Sequence, residues 1–295
     1  MTAPDPKAAE LLTEWGGLAG SAELRGALTD RQITAAVEAG AIVRLTRGRF
    51  ALPTVPAAAA GAARVNGVVS HLSAALHWGW RVKLPPEKPM VTVPRGRNLT
   101  LPRRHDLSVH YADLTPDEVR NGVTSPLRTV IDCARVLPFD AALAVADSAL
   151  RSGRISHDQL IAAAQAAPRS GRPAALKVAR FADARAANPF ESVLRAITIE
   201  MGLCLTPQLT CLPYIQVDLG SEELRLVVEA ESWRYHGDKW AFEADVNRYT
   251  RLVRNRWVVV RFTWSDVMFH PDVVREVLAD VVAMCEELRQ FRHPA

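Results

Sequence analysis

Apolar positions along the chain recur with two periods, and the changes from one to the other divide it into three segments. In the first, the helical period of 3.6 residues occurs three times: Lys7–Glu14 is amphipathic, a short run follows Ser21, and Asp30–Ala39 opens after the capping residue Thr29. Gly40 closes the third helix. Strand alternation then takes over at Ile42–Leu45 and Arg49–Leu52, around Thr46-Arg47-Gly48, whose glycine suits a tight turn. The second segment, about residues 66–163, mixes strands at Met90–Val93 and Leu107–His110 with helices at Ser70–His77, Arg128–Leu137 and Asp140–Ser152. From Asn188 the order becomes helix, three strands, helix, strand, helix. Asn188-Pro-Phe-Glu191 is a helix start, strands follow at Gln208–Leu212, Tyr214–Leu219 and Leu224–Glu231, and a basic amphipathic helix spans about Lys239–Asn255. The apolar strand Trp257–Phe262 and a closing helix near Pro271–Arg289 complete the pattern.

Two stretches read as linkers. Pro53–Pro56 with the alanine run Ala57–Ala63 separates the first segment from the second, and Ala164–Pro173 precedes the last. The expected division is therefore 1–56, 57–180 and 181–295, and the fold class is multi-domain α/β. Three helices followed by a two-stranded wing is the order of a winged helix-turn-helix. In such a module the first turn of the third helix faces base edges, which points to Arg31, Gln32 and Thr34, while wing residues Arg44, Arg47 and Arg49 reach phosphates or the minor groove. Many winged helices instead serve as protein-interaction modules, and both readings stand.

Charge changes this picture only when it is divided. The 295 residues carry a net +4, which decides nothing about partners. Residues 1–60 are neutral, residues 61–184 carry +7 and residues 185–295 carry −3. The basic middle includes Arg95, Arg97, Arg103 and Arg104 between two strands, where a loop tracks a phosphate backbone or is simply solvated. Cys133, Cys204, Cys211 and Cys285 have no paired spacing and read as isolated thiols. No apolar run approaches the roughly 18 residues of a membrane span. The first residues lack a basic stretch followed by an apolar one, so a cytoplasmic protein without membrane partners is expected.

The acidic residues of the third segment are placed oddly for a buried sheet. Asp218 interrupts the apolar run Ile215–Leu219, and Glu229 and Glu231 end Leu224–Val228. With the hairpin tip at Glu222-Glu223, Asp218 stands opposite Val227 and diagonal to Glu229, at roughly 7–8 Å between backbones. Carboxylates that close repel unless a proton or cation lies among them, and their hard oxygens suit Mg²⁺ or Mn²⁺. His236 lies just past the strand end, placed as a general base or a phosphate ligand. Asp245 and Arg248 lie one turn apart on the next helix. The competing reading is surface ion pairing with the neighbouring arginines.

Val-Asp218-Leu, Val-Val-Glu229-Ala-Glu231-Ser-Trp-Arg-Tyr-His236, Asp245-x-x-Arg248-Tyr and Trp-Val-Val-Val-Arg-Phe-Thr-Trp together resemble a domain of unknown function related to very-short-patch repair endonucleases, a branch of the PD-(D/E)xK nuclease superfamily. The likeness covers about residues 186–290. It implies a restriction-endonuclease-like αβββαβα domain with Asp218 and Glu229 as metal ligands and Glu231 as the next acidic position. It further implies His236, Asp245 and Arg248 as supporting residues, and Glu191 as the helix acid, which a capping box explains equally well. The superfamily lysine two positions after Glu229 is absent, and Glu231 stands there where related sequences usually have Asp; Lys239 or Arg248 would be the substitute cation. Residues 5–160 resemble the AbiEi-type antitoxins of bacterial abortive-infection systems, through Arg47-Gly-Arg-Phe-Ala-Leu-Pro53, Ser70-His-Leu-Ser-Ala-Ala75 and Thr124-Ser-Pro-Leu-Arg-Thr-Val-Ile-Asp132. That resemblance implies an α+β middle domain, DNA binding, and a toxin partner or self-association. Two functions follow: a Mg²⁺-dependent DNA endonuclease or nickase, or a non-catalytic DNA-binding antitoxin and autoregulator.

Overall fold

The computed structural model describes residues 7–231 and 239–292 of a mixed α/β chain, with three sheets among them. Its backbone groups into two compact units, Met1–Trp78 with Pro85–Asp132, and Gly79–Leu84 with Cys133–Ala295. Residues 1–56 therefore share a unit with the strands that follow them, while the helices after Cys133 group with residues 181–295.

The first unit begins with α1 (Lys7–Glu14), β1 (Leu18–Gly20), α2 (Ser21–Ala27), α3 (Asp30–Glu38), β2 (Val43–Thr46) and β3 (Arg49–Ala51). The strands form an antiparallel sheet in the order β1-β3-β2. Strand β1 is three residues long, too short for an alternation to announce it. Leu12, Leu24, Ile33, Ile42 and Phe50 fill the space between helices and sheet. The first linker proves to be a helix, α4 (Ala57–Val65). Alanine is the best helix former, and here the run also has a surface to cover: Ala62 and Val65 are buried, and a Cβ on Gly61 would lie 2.6 Å from Leu107. There follow β4 (Val68–Val69), α5 (His71–His77), β5 (Met90–Val93), α6 (Leu101–Arg104), β6 (Ser108–Tyr111), a 3-10 turn at Pro116–Glu118, β7 (Val119–Arg120) and β8 (Val123–Thr124). These strands make a five-stranded sheet in the order β6-β5-β4-β8-β7. The chain then enters α7 (Pro126–Val136).

The second unit contains α8 (Phe139–Arg151), α9 (His157–Ala166), α10 (Arg172–Phe181), α11 (Pro189–Glu200), β9 (Thr206–Leu212), β10 (Ile215–Ser221), β11 (Leu226–Glu231), α12 (Lys239–Arg254), β12 (Val258–Thr263), α13 (Trp264–Phe269) and α14 (Pro271–Arg292). The second linker shrinks to the five residues between α9 and α10. Its Gly171, at φ 77°, presses against Arg135, where a Cβ would come within 2.8 Å. A buried ion pair joins α8 to α11: the Arg195 guanidinium donates to both Asp147 oxygens, at 2.7 and 2.5 Å.

Strand order in the second unit's sheet is β12-β11-β10-β9, antiparallel except for the β11–β12 pair, which α12 connects as a crossover. Apolar clusters cover both faces. Phe190, Leu194 and Ile197 of α11 pack with Leu219, Val228, Phe262 and Leu278 on one; Leu252 of α12 packs with Ile215, Val217, Val227 and Trp257 on the other. The hairpin register departs from the expectation, since Gly220, not Asp218, stands opposite Val227. The turn comprises four residues, Glu222–Arg225, with Arg225 at φ 54° and its N–H on the Glu222 carbonyl, which moves the tip by one residue. Among the described residues no helix is long and apolar enough to cross a membrane.

Candidate functional site

The corrected register decides where the carboxylates meet. Leu219 pairs with Val228, so one step further along the antiparallel ladder Asp218 faces Glu229 directly, and Glu229 in turn pairs with Arg261 of β12. A polar row thus crosses an otherwise apolar sheet. Strand β10 runs unbroken from Ile215 to Ser221, but its side chains change face at this row. Val217 belongs to the α12-side cluster and Leu219 to the α11-side cluster, whereas residues two apart on a regular strand share a face. The neighbouring β9 carries the matching irregularity, with Gln208 in left-handed backbone at φ 52° and its carbonyl accepting from the Gln216 side chain at 3.1 Å.

Asp218 is half-buried and Glu229 is only 4% exposed. The Asp218 Oδ2 accepts the Ala230 N–H at 2.9 Å, and Glu229 Oε1 accepts from Arg248 Nη2 at 2.5 Å. The same Arg248 nitrogen donates to the Gln216 carbonyl at 2.7 Å. Burial pushes the Glu229 carboxyl up to about 8; the Asp218 charge adds to the shift, and Arg248 opposes it without cancelling it. Glu229 therefore keeps its proton near neutrality beside the Asp218 carboxyl.

Glu191 is buried at the start of α11, and its side chain closes the helix end. The backbone N–H of Glu191 is taken by the Asn188 side chain, while its own oxygens accept from Asn188 Nδ2, Ala187 N–H and Gln208 Nε2 at 2.7, 2.8 and 3.1 Å. Burial raises its pKa and the Asp218 charge raises it further. Glu191 is thus both a cap and an electrostatic neighbour of the pair. Among the described residues no three His, Cys, Asp or Glu side chains gather closely enough to hold a metal ion. Asp218 and Glu229 are two hard carboxylates side by side, and one of the Glu229 oxygens is already on Arg248.

Glu231 leaves this pair and bonds to Arg261, through Nη2 and through Nε at 3.0 Å. The Arg261 guanidinium also lies 4.2 Å above the Tyr249 ring, and Asp245 supports its charge. Burial and the Glu229 charge raise the Tyr249 hydroxyl's pKa, and Arg248 Nη1 donates to that hydroxyl at 3.3 Å. His236 lies outside the described residues. Arg261, Tyr249 and Gln208 were not singled out from the sequence. Arg261 carried a readable signal, a charge inside the apolar run Val258–Phe262, the same oddity that marks Asp218.

In the first unit, Arg31, Arg44, Arg47 and Arg49 are exposed. Gln32 is engaged locally, its side-chain oxygen accepting the Thr29 N–H at 3.0 Å while its own N–H goes to the Thr29 hydroxyl. The Thr34 hydroxyl donates back to the Asp30 carbonyl at 2.9 Å. Arg44 lies 5.2 Å from the Phe50 ring centre. Arg95 and Arg97 follow β5, whereas Arg103 and Arg104 sit on the one-turn helix α6 and not in a loop.

No family model matches the chain. It is similar to two proteins of Mycobacterium tuberculosis, the uncharacterized protein Rv2248 of strain H37Rv and the uncharacterized protein MT2308 of strain CDC 1551. Each is 33% identical over 155 residues, covering 50% of this chain and 57% of the relative. The chain thus spans a little over half the length of the curated relatives it matches. Among solved structures, the RV2827C protein of M. tuberculosis aligns with a TM-score of 0.39 and 13% identity, over 63% of this chain and 78% of that one.

Proposed function

We propose that the chain is a DNA-binding, metal-dependent endonuclease or nickase, with a winged helix-turn-helix in the first unit and a PD-(D/E)xK-like αβββαβα domain in the second. The observation that carries this reading is the Asp218–Glu229 pair: two carboxylates facing each other across β10 and β11, one of them buried and protonated up to about pH 8. A structural ion pair has no need of the second acid. Asp218 and Glu229 would hold Mg²⁺ or Mn²⁺, and such an ion supplies an activated water and charge stabilisation for phosphodiester hydrolysis. Arg248 holds Glu229 from the α12 side and is placed to balance charge on a phosphate. Arg261 fixes Glu231 away from the pair and keeps the row in order. Exposed Arg44, Arg47 and Arg49 on the wing, with Arg95, Arg97, Arg103 and Arg104, supply phosphate contacts.

Supercoiled plasmid incubated with the protein and Mg²⁺ or Mn²⁺ tests this. The parent nicks it, and Asp218→Ala and Glu229→Ala leave it intact. Equal background from all three proteins would end the reading, and titration with Mn²⁺ gives an independent measure of the site. A second reading, a DNA-binding antitoxin or autoregulator that pairs with a toxin or with itself and uses the nuclease-like domain as scaffold, is favoured by one observation: Arg248 already occupies a Glu229 oxygen. Plasmid left intact by a protein that still binds DNA and a neighbouring gene product would establish it.

A further inference from the structure

The first unit carries an open cleft of about 870 Å³, within the ~300–1,000 Å³ of sites that take small molecules. Its walls come from β1, β3, α4, β4 and α5 and from the turn before β8, all in that unit. Helix α4 contributes Ala58, Ala59, Ala62 and Ala63, which give an apolar wall without bulk. Its polar side chains are Asn66, Ser73, His77 and Asn121, and Arg49 is the only permanently charged residue in the lining. Ser73 is already spent on a structural bond, its hydroxyl accepting the Met90 N–H at 2.9 Å.

We infer that this cavity binds a small amphipathic carboxylate, its apolar body against the α4 alanines and its charge on Arg49. One guanidinium matches a planar monoanion in two parallel hydrogen bonds. A phosphate dianion would bring a second charge against an apolar wall with no permanent cation to meet it. Arg49 belongs to β3, immediately after the wing turn, and is also a proposed DNA contact. A ligand that takes its guanidinium withdraws it from phosphate, so occupancy of the cavity opposes DNA binding. That coupling, unlike the cavity itself, rests on the DNA-binding reading above.

Calorimetric titration of the full chain with 2-naphthoate, beside the neutral 2-naphthalenemethanol, separates these statements. The acid binds one to one and at least about 10-fold more tightly than the alcohol, the worth of one charged hydrogen bond. Ala63→Leu, which adds bulk to the α4 wall, weakens binding of the acid several-fold, and Arg49→Gln, at an exposed side chain, erases the preference for the acid. No saturable binding of naphthoate, equal binding of acid and alcohol, or undiminished binding by the folded Ala63→Leu variant would overturn the inference. On a fluorescent mixed-sequence duplex, saturating naphthoate weakens binding about 10-fold, within the usual range of coupling between two sites. Unchanged DNA affinity with the cavity filled removes the coupling. A chain that takes naphthoate but binds no DNA at all keeps the cavity and removes the DNA reading instead.

Discussion

The two units differ in how much charge they bury: among the described residues the first holds one such cluster, Arg128 with Asp132 and Glu118, and the second several. In the first, the arginines of the β2–β3 hairpin and of the segment after β5 are mostly exposed, where water and salt screen them and each adds little to stability. In the second, carboxylates and guanidiniums are built into a sheet and between helices, with Glu229, Glu191, Asp147 and Arg195 all buried. Exposed charge can be spread over many residues and removed one at a time. Buried charge works only in company, because a buried ion left without its partner has neither solvent nor counter-ion.

The largest expected effects therefore lie in the second unit. On the proposed nuclease reading, Asp218→Ala or Glu229→Ala removes a metal ligand and should cut plasmid nicking beyond the ~10–100-fold lost when only an outer-shell partner is removed. Arg195→Met, which strands Asp147, should cost about 3–5 kcal/mol in urea unfolding; a loss below 1 kcal/mol would mean that water reaches Asp147 and that the contrast between the units is smaller than drawn.

The Glu229 carboxyl sharpens the comparison through pH. Its folded pKa of about 8 lies above the ordinary glutamate value, so between those two values the native state holds a proton that the unfolded chain has released, and stability falls as pH rises. Glu229→Gln removes that dependence. Its melting temperature should gain on the parent from pH 5 to pH 9, with each kcal/mol worth about 3 °C in a chain of this size. A constant difference across that range would show the carboxyl to be already ionised at neutral pH. The smallest effects belong to the wing. Arg47→Ala should weaken duplex binding uniformly across sequences and lower the slope of log affinity against log salt by about 1.

Most helices and strands were legible, because amphipathic runs such as Asp30–Glu38 and β-branched ones such as Met90–Val93 announce themselves. The alanine run of α4 misled because alanines beside prolines resemble a spacer, and only Leu107 over Gly61 and the burial of Ala62 and Val65 reveal the packing partner. The candidate site was legible as a set of acids but not as a geometry. The left-handed Arg225 lengthened the turn and moved Asp218 from a diagonal to a facing position beside Glu229, and nothing in an Arg residue signals positive φ. Tyr249 was hidden for a different reason: its role comes from Arg261 on another element, and no sequence spacing connects the two.

The distortion in β9 has a consequence beyond aiming Asp218. This strand is one of the two margins of its sheet, and an uninterrupted margin invites a second molecule to add its own strand. Pro207 has no N–H to offer, and at Gln208 the carbonyl is already taken by Gln216 while the backbone turns out of line. The irregularity thus keeps this margin from pairing, so straightening it by substitution would open it to strand addition.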